Sequence, residues 1–196
     1  LLEMMDFIKK RKDEQMMGGS YRRGKRKNKN LARQAATYLR KSDGPRVAVF
    51  EVNGFDTHAA QGGVDGTHTK CLVEMDEIIN NLKDNLQEAY NDTIILTVTE
   101  FGRTVKQNGG NGTEHGYGTA IFMAGGLIKK SQVHTDWPGL KKKELYQGRD
   151  LNATIDARSV YASAMSTVFD LDFKRIQKDV FWGEDLQNLS DKLFKT

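Results

Sequence analysis

Two apolar runs separated by one amphipathic helix constrain the fold of this chain more than any other feature. Residues 46–52 and 93–99 are rich in apolar and β-branched side chains, which is typical of strands buried on both faces. Between them, residues 67–90 carry apolar side chains at helical spacing. A strand–helix–strand order with so long a crossover predicts a right-handed parallel unit. The predicted class is therefore α/β, a partial doubly wound and largely parallel sheet flanked by helices, with residues 121–124 as a third neighbouring strand.

The amino-terminal part of the chain has a different character from the rest. Residues 1–17 and 31–39 show helical apolar spacing, and a turn-forming cluster follows them. We therefore expect a basic helical segment over residues 1–45 and an α/β domain over residues 46–196. The sequence contains no apolar run of the roughly 18 residues that a transmembrane helix requires. Its single cysteine, Cys71, excludes an internal disulfide and a multi-cysteine zinc site, and its place on the apolar face of the long helix predicts a core residue.

The net charge of +4 conceals an uneven distribution of charged residues. Residues 1–46 contain 14 Lys/Arg and 5 Asp/Glu, whereas the rest of the chain contains 16 and 21. Most of the excess lies in the basic block, residues 22–29. Because like charges repel, such a block is typical of a solvated segment, and we expect residues 18–30 to be weakly ordered. Contact with a phosphate backbone or an anionic surface is the alternative, but Tyr21 is the one neighbouring aromatic residue, so a nucleic-acid partner is not favoured.

Polar side chains cluster at the ends of the three predicted strands. Asp56 and His58 follow the first strand, Glu100 and Arg103 follow the second, and His115 precedes the third. In open α/β sheets, ligands bind outside the carboxyl ends of the strands. Each residue alone has a structural explanation, since Asp56 can cap a turn and Glu100 can pair with Arg103. Two carboxylates and two imidazoles at one edge instead favour a site for zinc, manganese or iron.

Four short motifs carry a resemblance to a known family. They are GFDTHAAQG at residues 54–62, TEFGRT at 99–104, GTEHG at 112–116 and DWPGL at 136–140. In this order they resemble four motifs of the bacterial family called domain of unknown function 1501, and the similarity extends over residues 31–171. That family in turn resembles the alkaline phosphatase and sulfatase superfamily.

The resemblance implies a role for each candidate residue. Asp56 and His58 match an aspartate–histidine pair that holds one metal ion, and His115 completes the shell of that ion. Glu100 matches an acidic position that serves a second metal ion, and Arg103 is placed to hold a phosphate or sulfate oxygen. The implied protein is a metal-dependent hydrolase with zinc or manganese as cofactor and an anionic small-molecule ester as substrate, on an alkaline phosphatase-like fold.

The sequence also departs from the family pattern. The family usually has aspartate at the position of Glu114, tryptophan at Phe55 and proline at Val105. Its members are about twice as long, and their amino-terminal half carries another metal ligand and the nucleophile. We therefore expect this chain to correspond to the carboxyl-terminal half of the fold, and no residue of it is assigned as the nucleophile. Family members are commonly exported, which implies a periplasmic location.

Two other functions compete with the hydrolase interpretation. A non-catalytic envelope or binding domain would retain the fold and one metal ion, and the metal content of the purified protein would address that alternative. A nucleic-acid-associated protein would act through the basic block, and its binding would depend on salt.

Overall fold

The structure is a computed structural model that describes residues 21–195, with side chains from residue 27 onward. These residues form two compact units. The first consists of residues 21–53 and 71–89, and the second of residues 54–70 and 90–195. The helix predicted over residues 1–17 lies outside the described residues. No helix within the described part of the chain is both long enough and apolar enough to cross a membrane.

Two long helices dominate the first unit. Helix α1 spans Tyr21–Leu39, and helix α2 spans Thr67–Leu86, of which the part from Cys71 onward belongs to this unit. Both helices bury one face, as the apolar spacing predicts. Cys71 is buried, which confirms the prediction that it is a core residue. The other buried apolar residues of the two helices are Ala32, Ala35, Ala36, Ile78, Leu82 and Leu86.

The basic block lies within helix α1. Residues 21–30 are helical and residues 18–20 lie outside the described residues, so weak order over residues 18–30 stays a prediction. The end of the block meets acidic partners on α2. Asn28 donates a hydrogen bond of 2.8 Å to the buried Glu74. Lys29 lies 3.0 Å from Glu77, so the two helices are joined by polar contacts.

The run at residues 46–52 does not form the first predicted strand. These residues lack a strand assignment, and Val49 is 75% exposed. A strand requires a ladder partner as well as an apolar composition, and the described residues provide none for this run.

The second and third predicted strands are neighbours, but they run in opposite directions. Strand β1 (Ile95–Leu96) pairs antiparallel with strand β4 (Met123–Ala124), with Ile95 opposite Ala124. This pair therefore differs from the largely parallel sheet that the sequence predicts. Strands β2 (Gly102–Arg103) and β3 (His115–Gly116) form a second antiparallel pair. The described residues contain two antiparallel sheets of two strands each. The doubly wound parallel sheet remains a prediction.

Three helices follow these strands in the second unit. Helix α3 spans Ala157–Phe169 and begins after Asp156, which caps it by accepting a hydrogen bond from the backbone N–H of Arg158. Helix α4 spans Phe173–Asp179, and the short helix α5 spans Ser190–Leu193. The 3₁₀ segments Gln87–Asp92 and Lys142–Glu144 lie in the connections. Helix α3 packs its apolar face against the β1–β4 pair around a core of Val160, Ala164, Leu189, Leu193 and Phe194.

Candidate metal centre

The β2–β3 pair fixes two of the candidate residues beside each other. Arg103 stands directly opposite His115 in the register of the two strands. Gly116 lies so close to the backbone of Arg103 that a Cβ atom there would collide with it, so glycine permits this pairing. A neighbouring backbone hydrogen bond extends the ladder, since Thr104 N–H donates to Glu114 O at 2.9 Å. The pairing thus brings Arg103 of the second predicted cluster and His115 of the third to the same place.

A second segment, residues 55–61, is bound to the loop between β2 and β3. Thr113 N–H donates to Thr57 O at 3.1 Å, and Gln61 N–H donates to Asn111 O at 2.9 Å. The side chain of Gln61 strengthens this attachment, because its Oε1 accepts hydrogen bonds from both Thr57 and Thr113. Asp56 and His58 flank Thr57, which is buried. The segment therefore presents both of these side chains beside His115.

Asp56, His58 and His115 converge on one point. The Nε2 atoms of the two imidazoles lie 3.1 Å apart. Oδ1 of Asp56 lies 3.0 Å from His58 Nε2 and 3.1 Å from His115 Nε2. Ligand atoms of the three residues all fall within 4.8 Å of one another. This is the convergence that the sequence predicts for one metal ion.

The donor set fits a divalent transition metal. Two imidazole nitrogens and one carboxylate oxygen are the ligands that zinc, manganese and iron accept in proteins. Ligand atoms held about 2.1 Å from a tetrahedral ion lie about 3.4 Å apart, which is close to the observed separations. The three side chains are between 44% and 51% exposed, so an ion held here would keep open positions.

Aromatic stacking orients His115. Its ring lies 3.8 Å from the ring of Phe101, centroid to centroid, at an interplanar angle of 17°. The rings of His58 and His115 lie 4.9 Å apart and are inclined by 50°. Stacking limits the rotation of the His115 ring, which keeps Nε2 turned toward Asp56.

Arg103 contacts one of the three converging side chains, Asp56. Its Nη1 donates to Oδ1 of Asp56, its Nη2 donates to the backbone carbonyl of Thr113, and its Nε donates to Thr113 Oγ1 at 3.0 Å. Thr113, which precedes β3, thus orients the guanidinium, and Asp56 provides the carboxylate that pairs with it. Binding of a phosphate or sulfate oxygen by Arg103 remains a prediction.

The two carboxylates of the site have lowered pKa values. Partial desolvation is the largest effect on Asp56 and raises its pKa, but hydrogen bonds from Arg103 and His115 and the nearby positive charges outweigh it. Hydrogen bonds from Asn108 and His58 lower the pKa of Glu114. Both carboxylates are therefore ionised at neutral pH, as metal binding requires of Asp56.

Glu100 is not part of this group. It is exposed, and the group of close ligand atoms in the described residues contains Asp56, His58 and His115 without it. Its assignment to a second metal ion stays a prediction.

Two further residues of the site were missed at the level of sequence. Glu114 Oε2 lies 2.8 Å from His58 Nδ1, and Asn108 donates both to Glu114 Oε1 and, at 2.8 Å, to the backbone carbonyl of His58. The available signal was that Glu114 is an acidic residue directly preceding a predicted histidine ligand. Asn108 gave no such signal, because its asparagine-rich surroundings are typical of an ordinary turn.

Comparison with known proteins identifies the family. No curated protein and no solved structure matches this chain. The profile of the family described as "Protein of unknown function (DUF1501)" matches residues 2–178, which is most of the sequence. This match confirms the family indicated by the four motifs. The chain therefore belongs to the DUF1501 family.

Proposed function

We propose that this chain binds one divalent metal ion through Asp56, His58 and His115. The observation that carries the proposal is the triangle of ligand atoms with edges of 3.0, 3.1 and 3.1 Å. Such a triangle brings a carboxylate oxygen and two imidazole nitrogens to one exposed point. Zinc and manganese suit this donor set.

We further propose that the site belongs to a metal-dependent hydrolase of the alkaline phosphatase and sulfatase superfamily. When bound, a divalent ion would polarise a phosphoryl or sulfuryl oxygen and lower the pKa of a water ligand. The chain itself would leave one side of the site open to an anionic substrate, and it would provide the guanidinium of Arg103 beside that opening. Arginine suits the recognition of a tetrahedral oxyanion, because its planar fork donates two parallel hydrogen bonds. A periplasmic location accompanies this proposal on the strength of the family motifs.

A non-catalytic binding domain is the second candidate, and one observation favours it. Hydrolysis by two metal ions needs a second ion about 3.5–4 Å from the first. The described residues contain one group of close ligands, and Glu100 lies outside it. A chain with one ion and no partner ion would bind an anion without hydrolysing it efficiently.

Zinc binding by the full chain tests the metal site. Titration of the metal-free protein with zinc in a calorimeter should show one site, and the double variant His58→Ala/His115→Ala should show none, because two of three ligands are lost. The variant His134→Ala removes a histidine outside the group and should bind zinc like the unaltered protein. Equal binding by the double variant would refute the site.

Turnover separates the two candidate functions. The zinc-loaded or manganese-loaded chain is assayed with p-nitrophenyl phosphate and p-nitrophenyl sulfate. Metal-dependent release of p-nitrophenol that disappears in the double variant supports the hydrolase. Stoichiometric metal binding without turnover supports the binding domain.

A further inference from the structure

Two carboxylates compete for the proton of the His58 ring. Glu114 Oε2 lies 2.8 Å from Nδ1, and Asp56 Oδ1 lies 3.0 Å from Nε2 on the opposite side. A neutral imidazole carries one N–H and one lone pair. If the proton lies on Nε2, this atom donates to Asp56 and cannot bind a metal ion. If the proton lies on Nδ1, Nε2 offers its lone pair to the point shared with His115.

We propose that Glu114 is a positioning residue that holds the His58 proton on Nδ1 and thereby presents the Nε2 lone pair to the metal ion. This inference rests on the proposed metal site and adds a residue that acts through His58 rather than on the ion. Histidine ligands of metal ions commonly donate their second N–H to a carboxylate, which fixes both the tautomer and the orientation of the ring.

Asn108 holds both members of the Glu114–His58 pair. Its Nδ2 donates to Glu114 Oε1 and to the backbone carbonyl of His58. Its Oδ1 accepts from the backbone N–H groups of Gly110 and Gly112, each at 2.9 Å. The Asn108 side chain thus hydrogen-bonds the Glu114 carboxylate, the His58 backbone and the loop at the same time. These hydrogen bonds restrict the rotamer of Glu114 to one in which the carboxylate faces His58 Nδ1.

Backbone contacts fix Glu114 from the other side. Its N–H donates to Thr104 Oγ1 at 3.1 Å, and its carbonyl accepts from Thr104 N–H at 2.9 Å. Glu114 therefore lies opposite Thr104, next to the Arg103–His115 pair of the β2–β3 ladder. Its backbone is fixed there, and only its side chain can adjust.

Asp56 is the weaker competitor for the His58 proton. Its Oδ1 already accepts a hydrogen bond from Arg103 and lies 3.1 Å from His115 Nε2. A carboxylate oxygen that already accepts a hydrogen bond from a guanidinium is stabilised less by a second donor than an oxygen whose one donor is an imidazole. The neighbours of Asp56 thus favour the Nδ1–H form of His58.

Imidazole ¹⁵N NMR of the metal-free full chain measures the proton position directly. The chain has four histidines, so the four rings can be assigned by single substitutions. At about pH 8.5, well above the ordinary imidazole pKa of about 6.5, the ¹⁵N shifts distinguish Nδ1–H from Nε2–H. We expect His58 to carry its proton on Nδ1. In Glu114→Ala the proton should move to Nε2, where Asp56 is then the remaining acceptor.

Zinc calorimetry on the same variants measures the consequence. Glu114→Ala should weaken zinc binding by about 10–100-fold, which is the usual effect of losing a carboxylate behind a histidine ligand. Glu114→Gln keeps an acceptor oxygen at the same distance, so it should retain the Nδ1–H form and lose less affinity. Glu51→Ala, which removes an exposed glutamate from the other unit, should change neither reading.

The outcomes separate this inference from the proposed function. A proton on Nε2 in the unaltered protein, or an unmoved proton with unchanged zinc affinity in Glu114→Ala, would overturn the positioning role while the metal site stands. If the unaltered chain binds no zinc but the proton still moves in Glu114→Ala, the proposed metal site fails and the control of the His58 tautomer by Glu114 is supported.

Discussion

At the scale of single residues, hydrogen bonds and ion pairs with neighbouring groups stabilise the charged side chains. Asp56 faces Arg103, Glu114 faces Asn108 and His58, and Asp156 binds Arg158 through its side chain and backbone. The proposed ligands Asp56, His58 and His115 could be inferred from sequence because the family motifs at residues 54–62 and 112–116 carry all three. The role of Glu114 could not, because it depends on which ring nitrogen faces which carboxylate.

The helix cap at Asp156 gives a prediction at this scale. Its carboxylate accepts a hydrogen bond of 2.8 Å from Arg158 N–H and also pairs with the Arg158 guanidinium at 2.7 Å. Asp156→Ala should lower the free energy of unfolding by about 1 kcal/mol at pH 7. Urea unfolding measures this difference, and Asp136→Ala, at an exposed position outside the caps, should leave stability within about 0.5 kcal/mol.

The pH dependence of the same variant follows from the pKa of Asp156. The hydrogen bond from the Arg158 side chain is the main cause of a pKa below the ordinary value, and partial burial opposes it. A carboxyl whose pKa is lower in the folded state contributes stability above its unfolded pKa of about 3.9 and loses it as the pH falls through the folded value. The stability difference between Asp156→Ala and the unaltered protein should therefore shrink below about pH 4. A constant difference down to pH 2 would contradict the assigned cause.

At the scale of elements, helices follow from local sequence and strands do not. Helix α2 occurs where the 3.6-residue spacing places it, because its hydrogen bonds lie within the segment. The strands β1 and β4 occur within their predicted runs, but their direction depends on a partner distant in sequence. This is why the two runs could be predicted as neighbours, whereas the antiparallel sense of their pairing could not be predicted from their composition. Residues 46–52 show the same limit, since an apolar run without a partner forms no strand.

The loop between β2 and β3 gives a prediction at the scale of elements. A Cβ atom on Gly112 would collide with the backbone of Thr57 and His58, whereas one on Gly109 meets nothing within 4 Å. Gly112→Ala should therefore displace the segment that carries His58 and weaken zinc binding at least tenfold, by analogy with about 10–100-fold for lost support of a ligand. Gly109→Ala is the matched control and should bind zinc normally. Equal affinities for the two variants would show that the loop does not position His58.

At the scale of the whole molecule, the fold remains less predictable than the site. Two compact units share the chain, and helix α2 contributes residues to both. The family could be predicted from four short motifs, because motifs with several polar residues in order are specific even where the strands are not. The doubly wound sheet expected from that family involves pairings over long sequence distances, and it stays a prediction.

The apolar core of the second unit gives a prediction for global stability. Phe194 is fully buried near the end of the described chain, among Val160, Leu189 and Leu193. Phe194→Ala should lower the free energy of unfolding of this unit by about 3–5 kcal/mol, since it removes a large side chain from a packed site. Phe122→Ala, which truncates a ring that is half exposed, should cost about 1 kcal/mol or less. Denaturant unfolding followed by circular dichroism compares the two, and equal costs would contradict the assignment of the core.

The zinc K-edge X-ray absorption spectrum of the full chain, loaded with one equivalent of zinc, tests the central claim most directly. The account predicts nitrogen and oxygen neighbours at about 2.0–2.1 Å, with outer-shell scattering from two imidazoles. It also predicts loss of the imidazole signal in His58→Ala/His115→Ala. A spectrum with one imidazole or none would contradict a metal centre formed by Asp56, His58 and His115. A sulfur atom at about 2.3 Å from the zinc ion, which Cys71 would supply, would contradict it too.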